Sequence, residues 1–474
     1  MVLFPASFVV LALWFFAVLR SGSGAYLMAV ATLPFGMFAV IQLPSIGGLS
    51  VTATALFSAM AAGLATSKAL FSRHPPRWGL SPAALALGLF CLYSIFSALV
   101  LVRYFQGSFL VFPLSRGATG IRIDPSFPSV MAPLMPSNAN LSQTFYIIIA
   151  FAFFVAFCGW LRRAGLVAGE RLFAWAAGLN VLLGILNIAQ ADVILNWVQT
   201  ATYSLHDQQT MAGLRRAIGG FPEPAPFGAA SAVFFAYFAS AWAYSHRPRD
   251  FTLAALNAGF IILSYSTTGF AALMVVFLIF ALRLLLGIFA RTERRRTAFK
   301  IAGYFVVLAL GATVLALTPL LELFVDLLDR LFLSKLDSLS GQERSAWTEA
   351  GMNAFYSTWG LGAGAGSLRS NGMLPVMLGS VGLPGAIAFA AFLWLTIGRS
   401  ARPITDPVLR RVYVSAQVAA LAQLTGMMLS MTVTDPTIFL IVCCALASIA
   451  RETALRTSTD NASASGLRTQ LAPG

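Results

Sequence analysis

Apolar residues in this chain fall into long uninterrupted runs, not into alternation. The runs are about 17–25 residues long, the length a helix needs to cross a hydrocarbon core. They predict membrane-spanning helices near 2–19, 24–43, 49–66, 81–102, 143–161, 172–190, 227–245, 251–265, 269–288, 301–320, 376–397, 412–431 and 437–450. That makes thirteen. The pair around Ser264–Gly269 is short enough to form a broken hairpin, so the expected range is 12–14. The period-two pattern of a membrane barrel is absent. The fold expected is all-α: a polytopic transmembrane helical bundle with a large extracytoplasmic helical loop.

Composition agrees. Of 474 residues, 58% are hydrophobic and 10% are charged, against roughly 25% charged in soluble domains. A soluble fold could not hide that much apolar surface. Cys91, Cys158, Cys443 and Cys444 all lie inside apolar runs. They read as small buried hydrophobes, not as a disulfide scaffold or a zinc site. The first apolar run lacks a basic leader and a small-residue cleavage site, and reads as a retained span.

Charge then orients the spans. Counted loop by loop, one face collects 22 of the 31 Lys and Arg but 6 of the 17 Asp and Glu. By the positive-inside rule that face is cytoplasmic. The net charge of +14 is therefore a topology signal, and no nucleic-acid partner is implied. Residues 1–450 form the transmembrane unit. The Ser/Thr/Ala-rich tail, 451–474, is expected to be disordered and cytoplasmic.

The opposite, extracytoplasmic face carries three long segments, 103–142, 199–226 and 321–375. Loops held by a rigid scaffold are where binding and catalysis concentrate. The first, with Arg103, Arg116, Arg122 and Asp124, reads equally well as cover for a site or as plain surface. The second sets Arg215 and Arg216 beside Gly219–Gly220 and a Pro-punctuated turn. Two guanidinium groups on a poorly charged face suit an anionic, phosphate-bearing ligand, or serve as interfacial anchors. His206 in the same segment is a candidate base, or a solvated loop residue. In the third, Leu321, Phe324, Leu327, Leu328 and Leu331 recur at helical spacing while Glu322, Asp326 and Asp329 line another face, as in a helix lying on a membrane surface. A second helix follows with Glu343, Arg344, Trp347 and Glu349. A Gly-rich turn comes next, with Trp359, Arg369 and Asn371. No Lys-Ser/Thr follows it, so it is no nucleotide-binding loop. Its glycines suit close backbone approach.

At this third segment the sequence resembles a known family. The run Ser340-Gly341-Gln342-Glu343-Arg344, then Trp347, Trp359-Gly360-Leu361-Gly362-Ala363-Gly364, Asn371 and Gly379-Ser380-Val381-Gly382-Leu383-Pro384-Gly385 resembles the O-antigen ligase/polymerase superfamily. Upstream, Arg216-Ala217-Ile218-Gly219-Gly220-Phe221 with Pro222 and Pro224 is similar to that family's Arg-x-x-Gly-x-Phe segment before a span. Leu33–Leu49 also looks like the N-terminal spans of exopolysaccharide polymerases. The resemblance follows most of the chain in order, while its specific motif covers about 50 residues. The family's His-Asn pair is Ser370-Asn371 here, and its acid before Gly-Leu-x-Gly is Gly379 or Ser380. Both departures favour a polymerase over a ligase.

The resemblance implies a bacterial inner-membrane enzyme acting on oligosaccharide repeat units linked to polyprenyl diphosphate. It implies no nucleotide cofactor, because the carrier bond is already activated. Membrane lipid, a chain-length regulator and a flippase are the partners it suggests. A hydroxyl of one unit attacks the anomeric carbon of another, and polyprenyl diphosphate leaves. Arg215, Arg216, Arg344 and Arg369 are candidates to stabilise the diphosphate. Glu343, then Glu349 and His206, are candidate bases. Trp347, Trp359 and Asn371 suit sugar binding. No metal ligands are nominated. For Glu343 the plain alternative is a surface ion pair, and for the tryptophans interfacial anchoring. Two other functions stay open: a ligase passing glycan to lipid A or protein, and a transporter or flippase. The last class usually places charges at mid-membrane in paired halves, and these spans are almost free of charge.

Overall fold

The computed structural model describes residues 2–43, 49–71, 80–114, 119–201, 210–211, 214–289 and 338–470. The expected span at 301–320 and the amphipathic helix over 321–337 lie outside them. Among the described residues the chain is an all-α polytopic bundle, with small two- and three-stranded pieces and no closed sheet. Eight helices are long and apolar enough to cross a bilayer: Ala53–Phe71, Pro82–Tyr104, Asn138–Ala164, Leu166–Ile188, Pro224–Ser245, Met373–Thr396, Pro407–Ser430 and Ile438–Thr457. Pro5–Arg20, Pro248–Leu263 and Thr267–Phe289 are further helices at expected spans. This is a multi-pass membrane protein.

Local chemistry sets the helix ends. Pro82, Pro224, Pro248 and Pro407 stand in first turns, where a missing N–H costs nothing. Asp406 caps the Pro407 helix through the amides of Val408 and Leu409, both at 2.8 Å. Gly165, at φ 83°, turns the chain directly from Asn138–Ala164 into Leu166–Ile188. One helix runs from Ile438 to Gln470, into the segment expected as a tail. Its sequence offers good helix formers past Ala450. Glu452 holds it with pairs to Arg456 at 2.7 Å and Arg162 at 2.9 Å.

The expected span at 24–43 is not a span. Its helix stops at Ala31, eight residues long. Pro34 and Gly36 end it. Ala39–Leu43 (β2) then pairs antiparallel with Val2–Leu3 (β1) on one side and Leu49–Thr52 (β3) on the other. Non-helical backbone survives at membrane depth only where protein covers it, and here the second long segment does so. Met37 N–H donates to Gly220 O at 2.9 Å, Ala201 N–H to Met37 O at 3.0 Å, and the Thr200 hydroxyl to Ala39 O at 2.7 Å. Hydropathy alone does not separate such a buried strand from half a helix.

Buried polar groups fasten the helices to one another. Asn180 donates to Ser231 Oγ at 3.0 Å and to Asn257 Oδ1 at 2.9 Å, joining three helices near mid-bundle. At the arginine-rich end, Arg411 pairs with Glu170 at 2.6 Å and lies 3.9 Å from Asp250. All three are buried. Arg249 and Ser245 also bond Asp250, at 3.1 Å and 2.9 Å. Removing one member of a buried charge set strands the others, at about 3–5 kcal/mol. Arg411→Met is therefore expected to lower the unfolding midpoint in detergent micelles sharply; an unchanged midpoint would show that the cluster does not hold the bundle.

Candidate functional site

The site is built where the first and third loop-face segments meet. Helix Leu339–Ser357 (α11) starts at Ser338, whose hydroxyl accepts from Gly341 N–H at 3.1 Å. Its first turns present Glu343, Arg344 and Trp347. Glu343 is 9% exposed and accepts from the Ser129 amide at 3.2 Å and from the Ser129 hydroxyl. The Trp347 indole N–H donates to the same Ser129 oxygen at 3.1 Å. The Arg369 guanidinium lies over the Trp347 ring at 5.1 Å, and Phe112 meets that ring edge-on. Arg369 N–H donates to Phe112 O at 2.6 Å, and the Ser370 hydroxyl to Trp347 O at 2.9 Å. Thr348 reaches Asn371 O at 3.2 Å.

Glu343, Trp347, Arg369 and Asn371 thus come together, with Arg344 half-buried beside them. Ser129 ties the first segment to this cluster. Sequence reasoning left that segment as cover or plain surface. A lone serine in a Pro- and Ser-rich loop carries no signal, because its partners lie 214 and 218 residues away.

The Gly-rich turn is a packing device. Gly362 at φ 89° and Gly382 at φ 60° lie back to back: a Cβ on Gly382 would sit 2.3 Å from Gly360 O. Ala363 and Gly364 amides donate to Gly379 O and Ser380 O at 2.8 Å and 2.9 Å. Those are carbonyls that the break at Gly382, just before Pro384, leaves open in helix Met373–Thr396 (α12), and the freed Leu383 N–H donates back to Gly360 O at 2.8 Å. A π-helical stretch at Ser97–Leu101 borders the turn, and Ser97 Oγ accepts from Ala365 N–H at 3.2 Å. Trp359 follows at φ 53°, 74% exposed, edge-on to Phe105.

The other candidates stand apart from this cluster. Arg215 is paired with Asp192 at 3.8 Å on the surface. Arg216 is half-buried and donates to Ser264 O at 3.2 Å and Tyr265 O at 2.9 Å. It caps the C-terminus of helix Pro248–Leu263 at the sharp break where Tyr265 takes φ 42°. Desolvation pulls its pKa down. Among the described residues neither arginine bonds to helix α11. Glu349 is exposed on that helix. His206 lies outside the described residues, as does Arg116.

One further acid stands outside the candidates named from the sequence. Asp435 sits half-buried between Pro407–Ser430 (α13) and the last helix, and accepts from Thr437 N–H at 3.1 Å. Thr437 is β-branched yet at φ 58°. The same connection is tied to the cluster by Gly372 N–H donating to Met431 O at 2.8 Å. Burial pushes the Asp435 carboxyl up to about 6.

The chain matches no family model and no curated protein. Among the described residues no three His, Cys, Asp or Glu side chains group as metal ligands.

A carboxyl whose folded pKa is raised binds its proton more tightly in the folded state. Stability is then greatest in acid and falls as pH rises from the ordinary carboxylate value through about 6. The expected outcome is that Asp435→Asn gains stability over the native chain on going from about pH 4 to about pH 7, read as unfolding midpoints. A gap that does not change with pH would contradict the buried placement of Asp435.

Proposed function

We propose that this protein polymerises oligosaccharide repeat units carried on polyprenyl diphosphate, at the outer face of a bacterial inner membrane. The supporting observation is the convergence of Ser129, Glu343, Trp347 and Arg369 on helix Leu339–Ser357. That helix carries the residues that resemble the O-antigen ligase/polymerase superfamily. A carrier tail would lie in the bilayer beside the bundle, with its diphosphate at the level of this cluster.

The reaction makes one bond and breaks one. An acceptor hydroxyl oxygen bonds to the anomeric carbon of a second unit, and the bond from that carbon to the diphosphate oxygen breaks. The hydroxyl proton passes to a base, and negative charge develops on the leaving polyprenyl diphosphate. Arg344 and Arg369 are the cations nearest the cluster, and stacking on Trp347 fixes the Arg369 plane. Preorganised charge of this kind lowers the barrier because it needs no rearrangement as the leaving group departs. Arg216 spends two donors on helix carbonyls, so it orients the second segment and is a weaker candidate for direct diphosphate contact. Arg215 lies further out, paired to Asp192.

Glu343 remains the first candidate base, although Ser129 holds one of its oxygens. Burial raises the Asp435 carboxyl to about 6, which suits a proton acceptor near neutral pH. The polymerase reading is favoured over a ligase by residue 370. A serine stands in place of the family's histidine, and its hydroxyl is committed to the Trp347 carbonyl.

Arg344→Ala is expected to insert at native levels while long polymer disappears and single repeat units accumulate on the carrier. Ser345→Ala, one residue on and exposed, is the control. Polymer of native length from both Arg344→Ala and Arg369→Ala variants would refute the reading. Full-length polymer left unattached would instead indicate a ligase.

A further inference from the structure

At the arginine-rich end, opposite the site, the bundle holds a cleft of about 530 Å³ lined by Gly22, Ser23, Tyr26, Lys68, Trp160 and Arg163, among others. Its floor is built. The Trp160 indole donates to Ser23 Oγ at 3.1 Å, and its ring stacks on Tyr26 at 5.1 Å and on Phe157 at 5.4 Å. Its walls are the last turns of Ala53–Phe71 and Asn138–Ala164, which bring Lys68 and Arg163 to the rim. The neighbouring Arg162 is spent on Glu452 at 2.9 Å. Lys68 and Arg163 make no ion pair among the described residues. Directly beyond Lys68, Leu70 and Phe71 are 76% and 89% exposed. The feature is therefore a cleft of mixed polar and apolar lining with Lys68 and Arg163 exposed at its rim and outward-facing apolar side chains beside it.

That combination matches an anionic lipid in one particular leaflet. Cations between transmembrane helices on the cytoplasmic side attract phosphate-bearing headgroups, and exposed apolar residues beside them suit acyl chains. A soluble phosphate would use the cations but not Leu70 and Phe71. We propose that this cleft binds the phosphate of an anionic phospholipid from the cytoplasmic leaflet, with Lys68 and Arg163 as its charge partners and the acyl chains along Leu70 and Phe71. The site is distinct from the loop-face cluster and does not depend on the chemistry performed there.

The test uses the full chain in phosphatidylcholine nanodiscs, titrated with phosphatidylglycerol and read by native mass spectrometry as bound lipid per protein. The native chain is expected to retain phosphatidylglycerol, and Lys68→Gln/Arg163→Gln to bind it roughly thirtyfold more weakly, the effect of two charges near a membrane surface. Equal retention by the two chains would overturn the proposal. Should the double variant fail to fold, Lys68→Arg/Arg163→Lys decides: it keeps both charges and must bind as the native chain does, and loss of binding there overturns the proposal. Soluble glycerol phosphate forms the second arm. It is expected not to displace the lipid at millimolar concentration; displacement, or glycerol phosphate adducts of equal stability, would make the ligand a free phosphate and contradict the lipid assignment.

Discussion

A backbone inside a bilayer must satisfy every N–H and C=O from within the protein, because no water is there to do it. Straight helices meet that demand alone. Among the described residues, departures from straight helix take partners from elsewhere in the sequence. The strand Ala39–Leu43 takes neighbours from Val2–Leu3, Leu49–Thr52 and the 199–221 segment. The π-helical turn at Ser97–Leu101 faces the glycine turn. The break at Gly382 is closed by amides of Ala363 and Gly364. The long loop-face segments therefore do more than cover the bundle. They complete it, and this anchoring is what holds Glu343, Trp347 and Arg369 in fixed positions.

The same demand links the site to the scaffold at a distance. Ser129 bonds both Glu343 and Trp347, so the first segment cannot move without disturbing the third. Arg216 caps one helix end at Ser264 and Tyr265. Close by, Gly228 and Gly269 pack backbone against backbone, and Gly426 meets Ala229. The C-terminal end of the Pro407 helix thus touches both neighbourhoods, through Gly426 against Ala229 and Met431 O accepting from Gly372 N–H. At the opposite end the Glu170–Arg411–Asp250 set binds three helices with charge, and the Tyr237 hydroxyl, donating to Glu170, adds a fourth. The molecule is polar at both ends in different ways: one end is fastened by buried charge, the other by hydrogen bonds between loop segments.

Most of the bundle was legible in the sequence because a spanning helix is a local property. Runs such as 81–102 and 412–431 need only length and apolarity, and their helices lie within a few residues of expectation. The run at 24–43 was misread for the same reason: hydropathy counts apolar residues but not the distant strands that pair with them. Composition in the tail carries no mark of the helix in which Glu452 pairs with Arg162 and Arg456. In the candidate site, residues on one helix were found together, as Glu343, Arg344 and Trp347 were. Ser129 and Asp435 were not, because what marks them is proximity across the chain. Arg216 was found by its charge, but its commitment to helix carbonyls is written only in three dimensions.

The account rests on one placement: helix Leu339–Ser357 and the arginine-rich loops lie on opposite sides of the membrane. Single cysteines at two exposed positions, Ser345→Cys and Thr405→Cys, test it directly with a membrane-impermeant maleimide in intact spheroplasts. The four native cysteines are buried and give little background. The account predicts that the cysteine at 345 labels in intact cells and the one at 405 only after permeabilisation. The reverse pattern would contradict it, since a carrier-linked glycan displayed outside would never meet Glu343 and Arg344.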